Sequence, residues 1–253
     1  MSWCGLPAFV PDWPLPAGVK ALQTECGQGP APYGGFNLGD HVGDEMASVA
    51  AHRQRLVQVT GVSPIWLRQV HGMAVHNIDA LPPEPPEPPE ADAAVTRQRG
   101  VACTVLTADC LPVLVADRQA RVVGAAHAGW RGLADGVIQQ LIGAMTRVPG
   151  VTTGDLTVWL GPAIGPMAFE VGQEVVDAFT MQHARQQAYF RQHPVAAGKY
   201  LADLPGLASD ILQGCGVGNV TVSGLCTVSL ADRFYSYRRE GVTGRMASLI
   251  WLE

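Results

Sequence analysis

Two histidines and one cysteine lie where apolar runs of this sequence end. His71 lies in WLRQVHG, Cys110 in TADC, and His127 follows the run VVGAA. Imidazole nitrogens and a thiolate sulfur are good zinc ligands, and a catalytic zinc takes three protein ligands and leaves a position for water. The spacing matches no compact zinc-finger signature. A metal triad is therefore one hypothesis, and structural hydrogen bonding with an inert buried thiol is the other.

The elements around these residues read as strands. Residues 101–107, 111–117 and 122–127 are rich in apolar and β-branched side chains and predict three strands. The short polar stretch RQAR joins the last two, which indicates an antiparallel hairpin. Because antiparallel strands return to where they began, we expect the hairpin to bring Cys110 and His127 together. That His71 joins them is a conjecture from its similar local context.

Further strands are predicted at 156–160, 220–223 and 246–252, and helices at 132–147, 172–192 and 204–212. In the first of these helices apolar residues recur at helical spacing. Strands paired locally, with helices interspersed, predict one α+β domain with mixed sheets over residues 1–253. A doubly wound parallel sheet fits less well, since no GxGxxG loop follows a strand.

One low-complexity segment interrupts the chain. The stretch LPPEPPEPPEAD at residues 81–92 repeats Pro-Pro-Glu, which favours an extended backbone without a packed core. We predict an exposed surface loop within the single domain rather than a recognition motif.

The composition narrows the classes of function. Of the 253 residues 47% are hydrophobic and 15% charged, and the formal net charge is −5, which is not the basic footprint of a nucleic-acid-binding protein. The first twenty or so residues lack a basic region and are interrupted by prolines, and no run of about eighteen apolar residues occurs. We therefore expect no signal peptide and no membrane span. Six scattered cysteines then favour reduced thiols and a cytoplasmic protein.

Several motifs occur in order along the chain, among them GGFNLGDHVGD (34–44), TADCLPV (107–113), HAGWRG (127–132) and SYRREGVTGRMASLI (236–250). With these motifs the sequence resembles the laccase-domain, or polyphenol-oxidase-like, family. That family is better described as purine nucleoside phosphorylases that also deaminate adenosine. The resemblance implies zinc bound by His71, Cys110 and His127 and a four-layer α/β/β/α sandwich. It also implies cleavage of adenosine, inosine and methylthioadenosine with phosphate.

The implied reaction suggests roles for nearby arginines. Phosphorolysis breaks the bond between ribose C1′ and a purine nitrogen, and the site must hold dianionic phosphate. The planar guanidinium fork binds phosphate oxygens in pairs. Arg131 lies four residues after His127 and Arg68 three before His71, so we expect both near the metal. Backbone N–H groups at 128–131, where a glycine-rich turn opens a helix, would add affinity for an anion.

Other polar residues have two interpretations each. Deamination needs a carboxylate that shuttles protons, and Asp109 and Glu170 are the candidates. Adjacent strand residues face opposite sides, so Asp109 could point away from the metal. Asn37 and His41 either line the sugar or base pocket or build a tight turn. Three further arginines are either anion binders or exposed charges: Arg238, Arg239 and Arg245.

Three other functions compete with phosphorolysis. A copper polyphenol oxidase uses about ten histidines, often as His-x-His pairs, whereas this chain has seven and no such pair. A cysteine-dependent hydrolase or amidase, acting for example on cell-wall precursor peptides, would use Cys110 as nucleophile and His127 as base. A zinc-stabilised binding protein would need a fourth ligand, for which the sequence offers His76. We expect purine nucleosides and phosphate as partners, no nucleic acid or membrane, and a monomer or weak homodimer.

Overall fold

The computed structural model describes residues 3–80 and 87–253. Residues 81–86 of the predicted Pro/Glu loop lie outside the described residues. Glu90 forms an isolated bridge with Arg68, and the chain then becomes buried at Ala91 and Asp92. The exposed loop predicted for 81–92 therefore ends before Ala91, because the Asp92 carboxylate turns inward to accept backbone hydrogen bonds.

The secondary structure alternates short strands and helices. The strands are β1 (Ala8–Phe9), β2 (Val19–Thr24), β3 (Ser63–Ile65), β4 (Val75–Asn77), β5 (Ala93–Thr96), β6 (Val101–Thr107), β7 (Leu111–Asp117), β8 (Val123–Ala128), β9 (Leu156–Leu160), β10 (Glu170–Val171), β11 (Phe190–Gln192), β12 (Tyr200–Ala202), β13 (Asn219–Val222) and β14 (Met246–Leu252). The helices are α1 (Met46–Thr60), α2 (Trp130–Asp135), α3 (Val137–Thr146), α4 (Gln173–Thr180), α5 (Leu204–Gly214) and α6 (Tyr237–Glu240). In these two described ranges no helix is long and apolar enough to cross a membrane.

The described strands form three sheets. A five-stranded sheet has the order β1-β2-β14-β6-β3, and a six-stranded sheet has the order β13-β9-β7-β8-β5-β4. A small sheet has the order β10-β12-β11. The pairs β3–β6, β4–β5 and β9–β13 are parallel and the remaining pairs are antiparallel, so both large sheets are mixed. This confirms the predicted α+β class.

The two large sheets pack face to face between layers of helices. Leu114 and Val123 of the six-stranded sheet share a buried cluster with Val105 and Ile250 of the five-stranded sheet. Apolar residues of α3, α4 and α5 cover the outer face of the six-stranded sheet. Leu56 of α1 belongs to a cluster on the outer face of the five-stranded sheet. The predicted α/β/β/α sandwich is confirmed.

Strand β7 shows why its sequence is continuously apolar. Val113 and Val115 pack against the helix layer, whereas Leu114 and Ala116 pack against the other sheet, so no face of the strand meets water. Burying side chains of this size contributes about 1.5–3 kcal/mol each. Truncating Leu114 to alanine would destabilise the fold by about 2–5 kcal/mol.

Several predicted elements keep their bounds, and two predicted helices differ. Strands predicted at 101–107, 111–117, 156–160 and 246–252 are confirmed. The helix predicted for 132–147 is two helices, α2 and α3. Gly136 separates them with a φ of 110°, a left-handed conformation that only glycine adopts without strain.

The helix predicted for 172–192 is wrong beyond Thr180. Val175, Val176 and Phe179 anchor α4, but the next large apolar residue, Met181, is 86% exposed. The chain continues as a short 3₁₀ helix and then as β11, which pairs with β12. A pairing partner further along the chain therefore overrides the local helical pattern.

Candidate functional site

The β7–β8 hairpin and the turn that carries His71 bring three candidate metal ligands together. Pro112 lies opposite His127 in the hairpin register, so Cys110 reaches the same end of the sheet. The ligand atoms of the three residues all lie within 4.8 Å of one another, and Cys110 Sγ is 3.8 Å from His71 Nε2. Sulfur and nitrogen ligands of a tetrahedral metal, with bonds of about 2.3 and 2.0 Å, would be about 3.5 Å apart. The donor set fits a metal ion.

One buried carboxylate holds both histidines. Asp92 Oδ1 accepts hydrogen bonds from His127 Nδ1 at 2.8 Å and from the His71 backbone N–H at 3.0 Å. Its Oδ2 accepts from the N–H groups of Val70 at 3.1 Å and Gly72 at 2.7 Å. These bonds hold His71 at a φ of 61°, which non-glycine residues rarely adopt. They also leave His127 Nε2 for a metal, the usual arrangement behind a histidine ligand.

The glycines after His127 make room for the ligands. A Cβ on Gly129 would lie 2.8 Å from His71 Cδ2 and 3.1 Å from Cys110 Sγ. A Cβ on Gly132 would lie 2.5 Å from the carbonyl oxygen of Gly72. Any larger residue at either position would push the ligand-bearing turns apart. The glycine-rich turn therefore serves the close packing of the ligands.

The three ligands perturb one another electrostatically. Burial opposes ionisation of the Cys110 thiol, but the imidazoles of His127 and His71 lower its pKa to about 6. Burial acts to lower the pKa of His127, but Cys110 and Asp92 raise it to about 9. The side chains on their own thus favour a thiolate beside an imidazolium. A metal ion would replace the proton that this pair shares.

The triad lines a pocket of about 480 Å³, within the range of small-molecule sites. Most of the other lining side chains are apolar or aromatic, with a few polar or charged groups: His41, Gln69, Leu106, Ala108, Asp109, Trp130, Ile164, Phe169, Leu204, Tyr237, Arg238 and Arg245. An apolar wall with a few polar groups suits a ligand that combines a flat ring with hydroxyl or anionic groups.

Asp109 lines this pocket, and its carboxylate accepts hydrogen bonds from the C-terminal segment of the chain. Its Oδ1 accepts from the Thr227 hydroxyl at 2.5 Å. Its Oδ2 accepts from the Ser236 hydroxyl at 3.0 Å and from the Arg238 backbone N–H at 2.7 Å. The residue has a φ of 88°, which turns the chain sharply before Cys110. Asp109 therefore connects the cysteine ligand to the start of α6.

Two of the predicted phosphate-binding residues lie outside the pocket lining. Arg68 is exposed and pairs with Glu90 at 2.9 Å. Arg131 is also exposed, and its guanidinium carbon lies 4.4 Å from the centroid of the Trp130 ring. Both arginines are near a ligand in sequence, but their side chains lie on the protein surface.

Two arginines from the C-terminal segment line the pocket instead. Arg238 donates to the Glu170 carbonyl oxygen at 3.1 Å. Arg245 Nη1 donates to the carbonyl oxygen of Thr243 at 2.9 Å. Arg239 is absent from the lining, and it pairs with the Glu240 carboxylate at 2.6 Å.

Of the other predicted binding residues, some line the pocket and others lie outside it. His41 lines the pocket. Asn37 is fully buried, and its Oδ1 accepts from the Arg245 backbone N–H at 2.8 Å, so it supports a turn beneath the site. The Glu170 carboxylate lies 3.5 Å from His193 Nε2 and outside the pocket lining. His76, the one fourth ligand that the sequence offered, lies in β4 and is not part of the ligand group.

Several residues at the site were not predicted from the sequence. Asp92 could have been found, since it directly precedes the apolar strand β5. Gln69 donates to the Leu106 carbonyl oxygen at 2.8 Å and accepts from its N–H at 2.7 Å, and so ties the His71 turn to β6. The aromatic residues Phe169 and Tyr237 carried no signal, because aromatic side chains are also common in cores.

Comparison with known proteins places the chain in a family. A family model described as multi-copper polyphenol oxidoreductase laccase matches residues 20–253. The chain belongs to this family. The resemblance inferred from the ordered motifs is thereby confirmed.

Relatives of known name cover nearly the whole chain. A purine nucleoside phosphorylase of Pseudomonas aeruginosa is 48% identical over 97% of this chain and 98% of its own length. The purine nucleoside phosphorylase YfiH of Escherichia coli K12 is 43% identical over 96% and 98%. The crystal structure of a Neisseria meningitidis protein superposes with a TM-score of 0.89 at 46% identity and covers 98% of this chain and 99% of that one. The fold and the family therefore both extend over nearly the whole chain.

Proposed function

We propose that this protein is a zinc-dependent purine nucleoside phosphorylase. It would cleave inosine, adenosine and methylthioadenosine with phosphate to the free base and a ribose 1-phosphate. The observation that carries the proposal is the His71–Cys110–His127 group in the wall of a pocket that also holds two guanidinium groups and an apolar surface. The names of the relatives support the same reaction.

Zinc is proposed because the donor set suits it. One thiolate and two imidazoles at these distances match a three-ligand catalytic site with an open position. Bound zinc would supply a Lewis acid and positive charge beside the reacting atoms. Asp92 orients His127, and Gly129 keeps His71 and Cys110 in contact.

The side chains of the pocket have separate tasks in this reaction. A phosphate oxygen forms a bond to C1′ while the C1′–N bond breaks, and the base leaves with that electron pair and gains the phosphate proton. Apolar groups such as Ile164, Phe169 and Leu204 would pack on the purine ring and exclude water, which otherwise competes for C1′. His41 and Tyr237 would offer hydrogen bonds to the sugar.

The direct test is incubation of zinc-loaded protein with inosine and phosphate, followed by chromatography of the products. We expect hypoxanthine and ribose 1-phosphate in equal amounts. Free ribose as the sole sugar product would show a hydrolase, and the absence of hypoxanthine would contradict the proposal. The Cys110→Ala variant is the matched negative control.

The family resemblance implies adenosine deamination as a second activity of the same pocket, and this stays a prediction. The Asp109 oxygens are occupied by Thr227, Ser236 and a backbone N–H, and the Glu170 carboxylate lies outside the lining. Neither predicted carboxylate is thus placed as a free proton shuttle. Incubation with adenosine without phosphate tests the activity, since deamination releases ammonia and inosine. No ammonia above the Cys110→Ala background would refute it.

A cysteine-dependent hydrolase is the alternative that one observation favours. The pKa of Cys110 is lowered to about 6 beside His127, which is the pattern of a thiolate–imidazolium nucleophile. The two functions require different states of Cys110 in the zinc-loaded protein. Rapid labelling of Cys110 by iodoacetamide at full zinc occupancy, with proportional loss of activity, would support the hydrolase.

Copper chemistry is the function that the family description names. The chain has seven histidines, fewer than the roughly ten of blue and trinuclear copper centres. Residues 3–80 and 87–253 contain one group of three candidate ligands. Metal analysis of the purified protein, together with an assay of phenol oxidation, tests whether the site holds zinc or copper. A cytoplasmic location and a monomeric or weakly dimeric state stay predictions from the composition.

A further inference from the structure

Arg245 differs from the other half-buried arginines. Among the described residues five arginines are half-buried, and four of them form an ion pair with a carboxylate: Arg53, Arg121, Arg233 and Arg239. No carboxylate within the described ranges forms an ion pair with Arg245. A guanidinium withdrawn from water without a counter-ion is unfavourable. The position can therefore accept an anion from outside the chain.

The backbone of Arg245 is held firmly beside the pocket. The backbone N–H of Arg245 donates to Asn37 Oδ1 at 2.8 Å, and the carbonyl oxygen of Arg245 accepts the Leu38 N–H at 3.1 Å. A Cβ on Gly39 would lie 2.7 Å from Arg245 Cγ, so glycine is what lets this side chain pass. The GGFNLGD motif thus supports Arg245, which lies 208 residues after Asn37 in the chain.

Within residues 3–80 and 87–253, the side-chain hydrogen bonds of Arg245 use only Nη1 and leave Nε and Nη2 without a partner. These bonds run to the carbonyl oxygens of Thr243 and Gly244, at 2.9 and 3.0 Å. Burial lowers the pKa of Arg245, whereas Cys110, Asp109 and Tyr237 raise it, so these groups are its electrostatic neighbours. Asp109 already accepts three hydrogen bonds from the C-terminal segment.

The charge of the pocket fits a dianion. When zinc is bound, both histidines would be neutral, and Arg238 and Arg245 would balance Asp109 and the Cys110 thiolate ligand. Bound zinc would then leave an excess of about two positive charges. Hydrogen phosphate carries a similar charge of opposite sign at neutral pH.

We propose that Arg245 binds the phosphate substrate through its unused N–H groups, with Arg238 as the second cation. Arg238 is fixed by the carbonyl oxygen of Glu170 and stands over the Phe169 ring at 5.7 Å. This proposal rests on the proposed phosphorolysis, because it names the residue that binds the second substrate. It replaces the sequence-based assignment to Arg68 and Arg131.

The experiment compares Arg245→Gln with Arg131→Gln as the matched control. Kinetics on zinc-loaded protein give the KM for phosphate and the KM for inosine separately. Losing a charge-assisted pair of hydrogen bonds should raise the phosphate KM by about ten- to a hundredfold in Arg245→Gln. The inosine KM should change little, and Arg131→Gln should match the wild type. An unchanged phosphate KM in a folded, zinc-loaded Arg245→Gln would overturn the proposal.

Two further measurements keep the proposal independent of folding and of turnover. Gly39→Ala retains the charge but crowds Arg245 Cγ, so its phosphate KM should rise as well; if Arg245→Gln does not fold, a wild-type value in Gly39→Ala overturns the proposal. Titration with inorganic phosphate, read as a rise in melting temperature, needs no turnover. Phosphate-induced stabilisation that Gly39→Ala retains in full would refute the role of Arg245 even in a protein that cleaves no nucleoside. A wild type that binds phosphate through Arg245 without cleaving inosine would refute only the proposed reaction.

Discussion

The two walls of the pocket are built in different ways. The metal-ligand wall comes from one hairpin, in which Cys110 and His127 are near neighbours, and from one turn that Asp92 holds. The arginine wall comes from the C-terminal segment, and its Arg245 is anchored by Asn37 from the opposite end of the chain. Local geometry is enough to bring together two of the three ligands of the first wall, Cys110 and His127. The second exists only once the whole sandwich has folded.

This difference has a functional consequence. Substitutions in the metal-ligand wall should act on metal binding, and substitutions in the arginine wall should act on the anionic substrate. Residues that are near the ligands in sequence but on the surface, such as Arg68, should affect neither.

The largest expected effect is the loss of the metal in Cys110→Ala. The thiolate is the only anionic ligand of the group, so its removal should abolish stoichiometric zinc binding and reduce nucleoside cleavage to background. Metal analysis after dialysis and the inosine assay check this. Cys4→Ala, at an exposed cysteine, is the control. A Cys110→Ala protein that keeps one tightly bound zinc would break the assignment of the metal-ligand wall.

Asp92→Asn should have the next largest effect. The amide can no longer accept all the hydrogen bonds from His127 and the His71 turn, and losses of this kind lower metal affinity by about 10–100-fold. Competition with a chromophoric chelator measures the affinity. Asp117→Asn is a matched control, since Asp117 is equally buried but pairs with Arg121 away from the pocket. It should lose about 1–3 kcal/mol of unfolding free energy and keep its zinc affinity. Equal zinc affinities in the two variants would contradict the role given to Asp92.

The pH dependence of alkylation tests the ionisation state of Cys110 in the metal-ligand wall. The pKa of Cys110 is about 6, below its ordinary value, so after chelation the reactive thiolate is present above pH 6 and lost below it. The iodoacetamide rate should fall about tenfold from pH 7 to pH 5. Burial raises the pKa of Cys26, which should stay unlabelled and serves as the internal control. Zinc should protect Cys110 at pH 7, where it replaces the shared proton, and unchanged labelling with zinc would argue for the hydrolase.

The smallest effect is expected for Arg68→Ala. The pair with Glu90 is exposed on both sides, with 66% and 52% of the side chains accessible, and such pairs contribute about 0–1 kcal/mol. Thermal unfolding and the phosphate KM should both stay close to the wild type. A tenfold rise of the phosphate KM would place Arg68 in the anion site. It would contradict the assignment of phosphate binding to the arginine wall.

The metal-ligand wall could be predicted from the sequence better than the arginine wall, for a physical reason. Strand periodicity and a four-residue turn are local signals, so β7, β8 and the proximity of Cys110 to His127 could be derived from them. That His71 joins them was a conjecture from its local context to which the resemblance added, since its position depends on Asp92 and on the strand order β4-β5-β8.

The arginines show where local signals fail. Arg131 is one turn from a ligand in sequence, but α2 begins at Trp130 and directs the guanidinium to the surface. Arg245 shows no local feature that separates it from a solvated charge. Its burial follows from contacts with Asn37 and Gly39 that only the complete five-stranded sheet and its loops create.

The central claim is that the metal group and the pocket together perform phosphorolysis. The measurement that tests it most directly is the rate of hypoxanthine release from inosine, with zinc and phosphate each present or omitted. We predict release only when both are present, with ribose 1-phosphate as the sugar product. Release that persists after zinc is removed, or that does not depend on phosphate, would contradict the claim.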